Sequence, residues 1–86
     1  MKQVKATITG LTRGVSKKGS PYMMIYVTKP FSETQTANGA LGLEAKSYFV
    51  PEELRERIPN SAVGKSVTLF TVFAGNQDNL ADITVS

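Results

Sequence analysis

Gly19-Ser20-Pro21-Tyr22-Met23-Met24-Ile25-Tyr26-Val27-Thr28 passes from a turn signal directly into a β pattern. Gly19-Ser20-Pro21 has the chemistry of a turn. The residues after it are β-branched, aromatic or thioether side chains that suit a pleated surface. Alternation puts Tyr22, Met24 and Tyr26 on one face and Met23, Ile25 and Val27 on the other. Both faces are apolar, so this strand is either buried on both sides or uses one face for binding. Lys29-Pro30 ends it, because proline cannot donate to a central ladder.

The same period of two extends in both directions. Val4, Ala6 and Ile8 alternate with Lys5, Thr7 and Thr9, the pattern of a half-buried strand. A third strand is expected at about 43–50, with Leu43, Ala45 and Phe49 on one side. Ser66 to Ala74 and Leu80 to Val85 form a hairpin around the polar turn Gly75-Asn76-Gln77-Asp78-Asn79. Residues 31–42 are expected as a loop or mobile hairpin tip with Asn38-Gly39 as its turn. The one helical candidate is Pro51–Pro59. Proline suits its first position, acids its first turn and cations its last, and Leu54 and Ile58 share a face. At about two turns it must dock on the sheet. Five strands, one short helix and no parallel βαβ unit predict an all-β fold, a small five-stranded barrel of the OB type in one domain, 1–86.

Composition narrows the chemistry. The 86 residues contain neither cysteine nor histidine, which removes disulfides, the common zinc sites and the usual nucleophilic triads. No calcium-type acidic loop and no complete phosphate-cradling motif is present. Gly64-Lys65-Ser66 has the tail of one, but Pro59 stands where its first glycine belongs. The chain reads as a non-enzyme with no cofactor, no metal and no small-molecule substrate. Its N-terminus lacks a signal-peptide core and no run suggests a membrane span, so the expectation is a soluble, cytoplasmic protein. A core this small makes self-association, as a homodimer, an expectation as well.

Charge is uneven. Residues 1–29 carry six cations and no acid, whereas 30–86 carry four cations against seven acids. Thr12 to Tyr26 combines Arg13, Lys17 and Lys18 with two glycines and then exposed aromatics. A basic glycine-containing loop running into aromatics suits a flexible polyanion with stackable bases, which is single-stranded nucleic acid. The cations read as hairpin-tip residues that reach phosphates. Tyr22 reads either as a base-stacking ring or as a strand-end tyrosine packed across its neighbour, and the adjacent cations favour stacking. Met24 is the apolar floor of that site or plain core. Lys46 extends the groove or is a solvated strand lysine. Phe49 and Phe70 read as core, and Phe73 as core or an exposed contact. Tyr26, Phe31 and Tyr48 are not assigned by pattern. DNA and RNA are not distinguished, since the same residues serve both. The competing class is a β-barrel module that binds a protein through the Tyr22, Met24 and Tyr26 face.

Arg13-Gly14-Val15-Ser16-Lys17-Lys18-Gly19-Ser20-Pro21-Tyr22 resembles the DNA-binding wing of the filamentous-phage single-stranded DNA-binding proteins of the gene V type. The segment Val67 to Val85 resembles that family's dyad-loop region. The likeness covers residues 10–30 best and does not extend to 31–60. The Asp78-Asn79 tip also carries an acid where a nucleic-acid contact would call for a cation. The resemblance implies an OB-like barrel, a symmetric homodimer, and cooperative coating of phage DNA in replication and packaging. It carries DNA contact over to Arg13, Lys17, Tyr22, Met24 and Phe73. Lys18 joins them from charge and position alone.

Overall fold

Val4, Ala6 and Ile8 point into the core from β1 (Lys2–Val15), the longest strand of the computed structural model, which describes residues 1–85. β1 serves two neighbours. Lys2 to Thr7 pair antiparallel with β4 (Ser66–Ala74), and Thr7 to Val15 pair antiparallel with β2 (Pro21–Pro30). Between the two halves lies a β-bulge. Ile8 opposes Val27 and Gly10 opposes Tyr26, which leaves Thr9 as the extra residue. The Thr9 hydroxyl donates to the Tyr26 carbonyl at 3.2 Å. A bulge bends the strand and reverses which residues face in. Even-numbered residues face the core before Thr9, and Leu11 packs on the core after it.

β3 (Leu43–Phe49) and β5 (Gln77–Val85) complete one antiparallel sheet of order β3-β2-β1-β4-β5. This is the expected five-stranded all-β fold. The backbone ladders do not run between the two edges, β3 and β5. Across that gap Lys46 of β3 pairs with Asp78 of β5 at 3.4 Å. The core gathers Ile8, Met23, Ile25, Val50, Val67 and Leu69, all nearly inaccessible to solvent.

The β1–β2 tip closes on Ser16, whose amide donates to the Ser20 carbonyl and whose carbonyl accepts from the Gly19 amide. Gly19 has φ +83°, a left-handed conformation that disfavours a side chain. In the β4–β5 turn, Gly75 and Asn76 have φ +60° and +63°, the signs required by a two-residue hairpin turn whose twist matches its strands. The Asn79 amide then caps the Ala74 carbonyl at 3.0 Å.

The helices depart from expectation. The segment at 31–42 contains α1 (Glu33–Ala37), with Ser32 as N-cap. The Ser32 hydroxyl accepts from the Gln35 amide, and the Gln35 side chain accepts from the Ser32 amide. That is a complete capping box, and Ser32-x-x-Gln35 was its signal. Asn38-Gly39 ends this helix and makes no hairpin turn. The candidate at 51–59 is a 3-10 segment over Glu52–Arg57, and a second one follows at Asn60–Ala62. Pro51 and Pro59 leave too little chain between them for a sustained α-helical ladder. Leu54 and Ile58 are buried as the shared face required, and Arg57 pairs with Asp82 of β5.

Two further expectations are corrected. Phe49, read as core, is 54% exposed, whereas the neighbouring Tyr48 is buried at 5%. Phe70 is half-buried and lies outside the core cluster. Both errors arise because an aromatic residue type alone does not reveal which face of its strand is covered. Among the described residues, no helix is long and apolar enough to cross a membrane.

Two stability tests follow. Among the described residues the Thr71 hydroxyl is buried without a hydrogen-bond partner. A buried unpaired hydroxyl costs about 1 kcal/mol or more, so Thr71→Val should raise Tm by about 4–8 °C in a domain of this size. Glu44 has its carboxyl held below the ordinary value of 4.5, first by the hydrogen bond from Lys29, then by that from Gln35. A depressed folded-state pKa stabilises above the unfolded value and is lost as pH falls through the folded one. Thermal melts should therefore show Glu44→Gln less stable than wild type at neutral pH, the two converging as pH drops below 4.5.

Candidate nucleic-acid interface

The bulge at Thr9 decides what lies on the solvent face of the β1–β2–β3 sheet. Beyond it Gly10, Thr12 and Gly14 occupy that face of β1, opposite Tyr26, Met24 and Tyr22 of β2. Met24 and Tyr26 are in turn opposite Phe49 and Ser47 of β3. Of the two faces of β2, Met23, Ile25 and Val27 are buried, while Tyr22 and Tyr26 remain 37% and 41% exposed. The strand thus uses one face for the core and leaves the other to solvent.

The glycines explain how the rings lie. A Cβ at Gly14 would stand 2.6 Å from the Tyr22 hydroxyl oxygen, so the Tyr22 ring end rests on bare backbone. A Cβ at Gly10 would meet the edge of the Tyr26 ring at 3.9 Å, and the Tyr26 hydroxyl reaches Thr12 Oγ1 at 3.4 Å. Both tyrosines lie down across β1, covering glycines whose lack of a side chain would otherwise weaken the strand. Phe49 adds a third exposed ring beside the half-buried Met24. The Arg55 guanidinium lies 5.8 Å from the Phe49 ring centre and is oriented by a 3.2 Å hydrogen bond from Nε to the Val50 carbonyl. Tyr22 and Tyr26 stand about 13 Å apart along β2. The result is an apolar platform of three rings, with a cation at the Phe49 end.

The expected site residues divide. Tyr22 and Met24 lie on the platform. Lys17 and Lys18 sit at the β1–β2 tip next to its Tyr22 end, exposed, and among the described residues neither makes an ion pair. Arg13 is not a tip residue. It is within β1 opposite the buried Met23, and its guanidinium donates to Asn60 Oδ1 and to the Ile58 carbonyl. It ties the 3-10 segments to β1 from the side away from Tyr22. Lys46 is opposite the buried Val27 and is engaged by Asp78. Burial works against its charge, but the Tyr48 phenol, Asp78 and Glu44 outweigh that and raise its pKa. Phe73 is 70% exposed on the β4–β5 hairpin, outside the three-strand platform. Tyr26 and Phe49 also lie on this face, and Arg55 beside Phe49, without having been expected there. The alternation that paired Tyr26 with Tyr22 was legible, whereas Arg55 carried no signal, since its position over Phe49 depends on the 3-10 turn.

Compared with protein-family models, curated proteins and solved structures, the chain matches none.

The contrasting placements of Arg13 and Lys17 are testable without any ligand. Arg13→Ala should destabilise the fold by about 1 kcal/mol in urea denaturation, because it leaves the Ile58 and Asn60 oxygens without their donor. Lys17→Ala should change stability by no more than about 0.5 kcal/mol, as expected of an exposed side chain without partners.

Proposed function

We propose that this chain binds single-stranded DNA, with little overall sequence preference, across the face formed by β1, β2 and β3. The observation that carries this reading is the platform of Tyr22 and Tyr26, laid over glycines, with the exposed Phe49 beside them, between lysines at one end and Arg55 at the other. Exposed aromatic groups on a small domain carry a solubility cost and mark a surface with a partner. Rings that offer their faces stack on any base, which makes the contact tolerant of sequence. Lys17 and Lys18 hold the phosphates, and Arg55 adds a charge beside a ring. A duplex keeps its base faces stacked inside and offers this platform nothing. The resemblance of Arg13–Tyr22 to the phage wing supports the same reading, as does the excess of cations in the first 29 residues. The accompanying role is the coating of single strands during phage replication and packaging. The chain works there as a homodimer, for which the exposed Val72 and Phe73 of the β4–β5 hairpin offer an apolar contact.

Fluorescence titration of a labelled poly-dT oligonucleotide at low and moderate salt, with duplex competitor, tests this directly. Tight, salt-sensitive binding that duplex does not displace is expected. Tyr22→Ala and Phe49→Ala should each weaken it by about 1–3 kcal/mol while the protein still melts cooperatively. Lys17→Ala and Lys18→Ala should each reduce the slope of log K against log salt by roughly 0.7. Absence of binding at low salt would overturn the proposal and point instead to a protein partner for the apolar face.

A further inference from the structure

A cleft of about 300 Å³ opens between the end of β3 and the start of β5. Met24 and Phe49 line it on the platform side, and Gln77 and Asp78 line it on the β5 side, with Ser47 also present. A base stacked on Phe49 therefore sits at its mouth. Its β5 wall carries side-chain oxygens with no partner among the described residues. Asp78 has a side chain only 19% exposed, and its Oδ2 accepts from Lys46, while Oδ1 has no partner among the described residues. Gln77 donates its Nε2 to Asn79 Oδ1 at 3.2 Å, which leaves its Oε1 and its second N–H without a partner among the described residues. Asn79 donates its own amide to the carbonyls of Val72, Ala74 and Gln77 and has no donor to spare. What remains for a ligand is the Asp78 carboxylate oxygen and the Gln77 amide oxygen as acceptors, one N–H of Gln77 as a donor, and the Ser47 and Tyr48 hydroxyls, which adapt to either role, so the Asp78 oxygen is the one group here that can only accept and carries charge.

We propose that this cleft is a subsite for a nucleobase bearing an exocyclic amino group, an inference that rests on the single-strand reading above. A carboxylate repels phosphate, so the ligand group here is not the backbone. Aspartate accepts well from the cytosine N4 amine. Thymine, the pyrimidine of the same ring class, presents a carbonyl in that place and would set acceptor against acceptor. Leaving a buried acceptor unpaired against the wrong base is what generates discrimination. The acidic tip that looked out of place for a DNA contact becomes the specificity element of an otherwise sequence-tolerant groove. The bias is confined to one base per bound protomer.

The test compares oligo-dC with oligo-dT of equal length, in wild type and in Asp78→Ala. Wild type should bind dC about 5-fold more tightly or better, the lower end of discrimination for a well-made base contact. In Asp78→Ala the ratio should fall toward one, because dC loses the acceptor of its amine while dT loses an oxygen set against its carbonyl. Gln77→Leu, which leaves the Lys46–Asp78 pair in place, should reduce the ratio in part and serves if Asp78→Ala does not fold. Equal wild-type affinities for dC and dT would overturn the subsite while leaving single-strand binding standing. A ratio that is unchanged in both variants would do the same. No binding of either homopolymer would overturn both readings.

Discussion

The extra residue at Thr9 is the constraint on which the rest of the structure depends. One strand, β1, serves as the partner of β4 over its first half and of β2 over its second. A straight strand of 14 residues would keep the same alternate side chains on one face throughout. The bulge reverses that order, so Val4, Ala6 and Ile8 fill the core before it and glycines take the solvent face after it. With a side chain in place of Gly14, the Tyr22 ring would have nowhere to lie. The platform is therefore a consequence of backbone geometry as much as of aromatic content.

The open side of the sheet is managed by side chains. β3 and β5 carry unpaired edges, which in a small β protein invite association with another chain. Here Lys46–Asp78 spans the gap and the 3-10 segments lie against β5 through Arg57–Asp82. Arg13 fastens those segments to β1 from below. Three cations that composition alone would assign to anion binding, Arg13, Lys46 and Arg57, are thus engaged in holding the fold together. The cations left at the platform are Lys17 and Lys18 on the tip and Arg55 over Phe49. Surface pairs of this kind contribute little energy individually, so their value lies in fixing where the edges meet.

Much of this was legible in order. The five strands, the turn at Gly19, a polar turn opening at Gly75 and the two faces of β2 follow from alternation and turn chemistry, which are local properties, although β5 begins at Gln77 where the return was expected at Leu80, and β1 runs on to Val15. Ser32-x-x-Gln35 carries a capping-box pattern that the expectation of a loop at 31–42 did not use. The site was only half readable. Tyr22 and the tip lysines could be placed, because the hairpin that carries them is local. Phe49 could not, because which face of β3 is covered depends on β2 beside it.

The sequence by itself determined the five strands, the absence of histidine and cysteine chemistry, and the concentration of positive charge in the first third of the chain. These depend on residue type and on spacings of two to four residues. The tertiary structure alone decided which charges are spent and which remain available, that Arg55 reaches Phe49, and that the acid of the last hairpin turns into a cleft beside the platform. Those outcomes depend on segments 13 to 69 residues apart in the chain meeting in one register. Side-chain pairing across such distances is set by the whole packed sheet, and no local pattern encodes it.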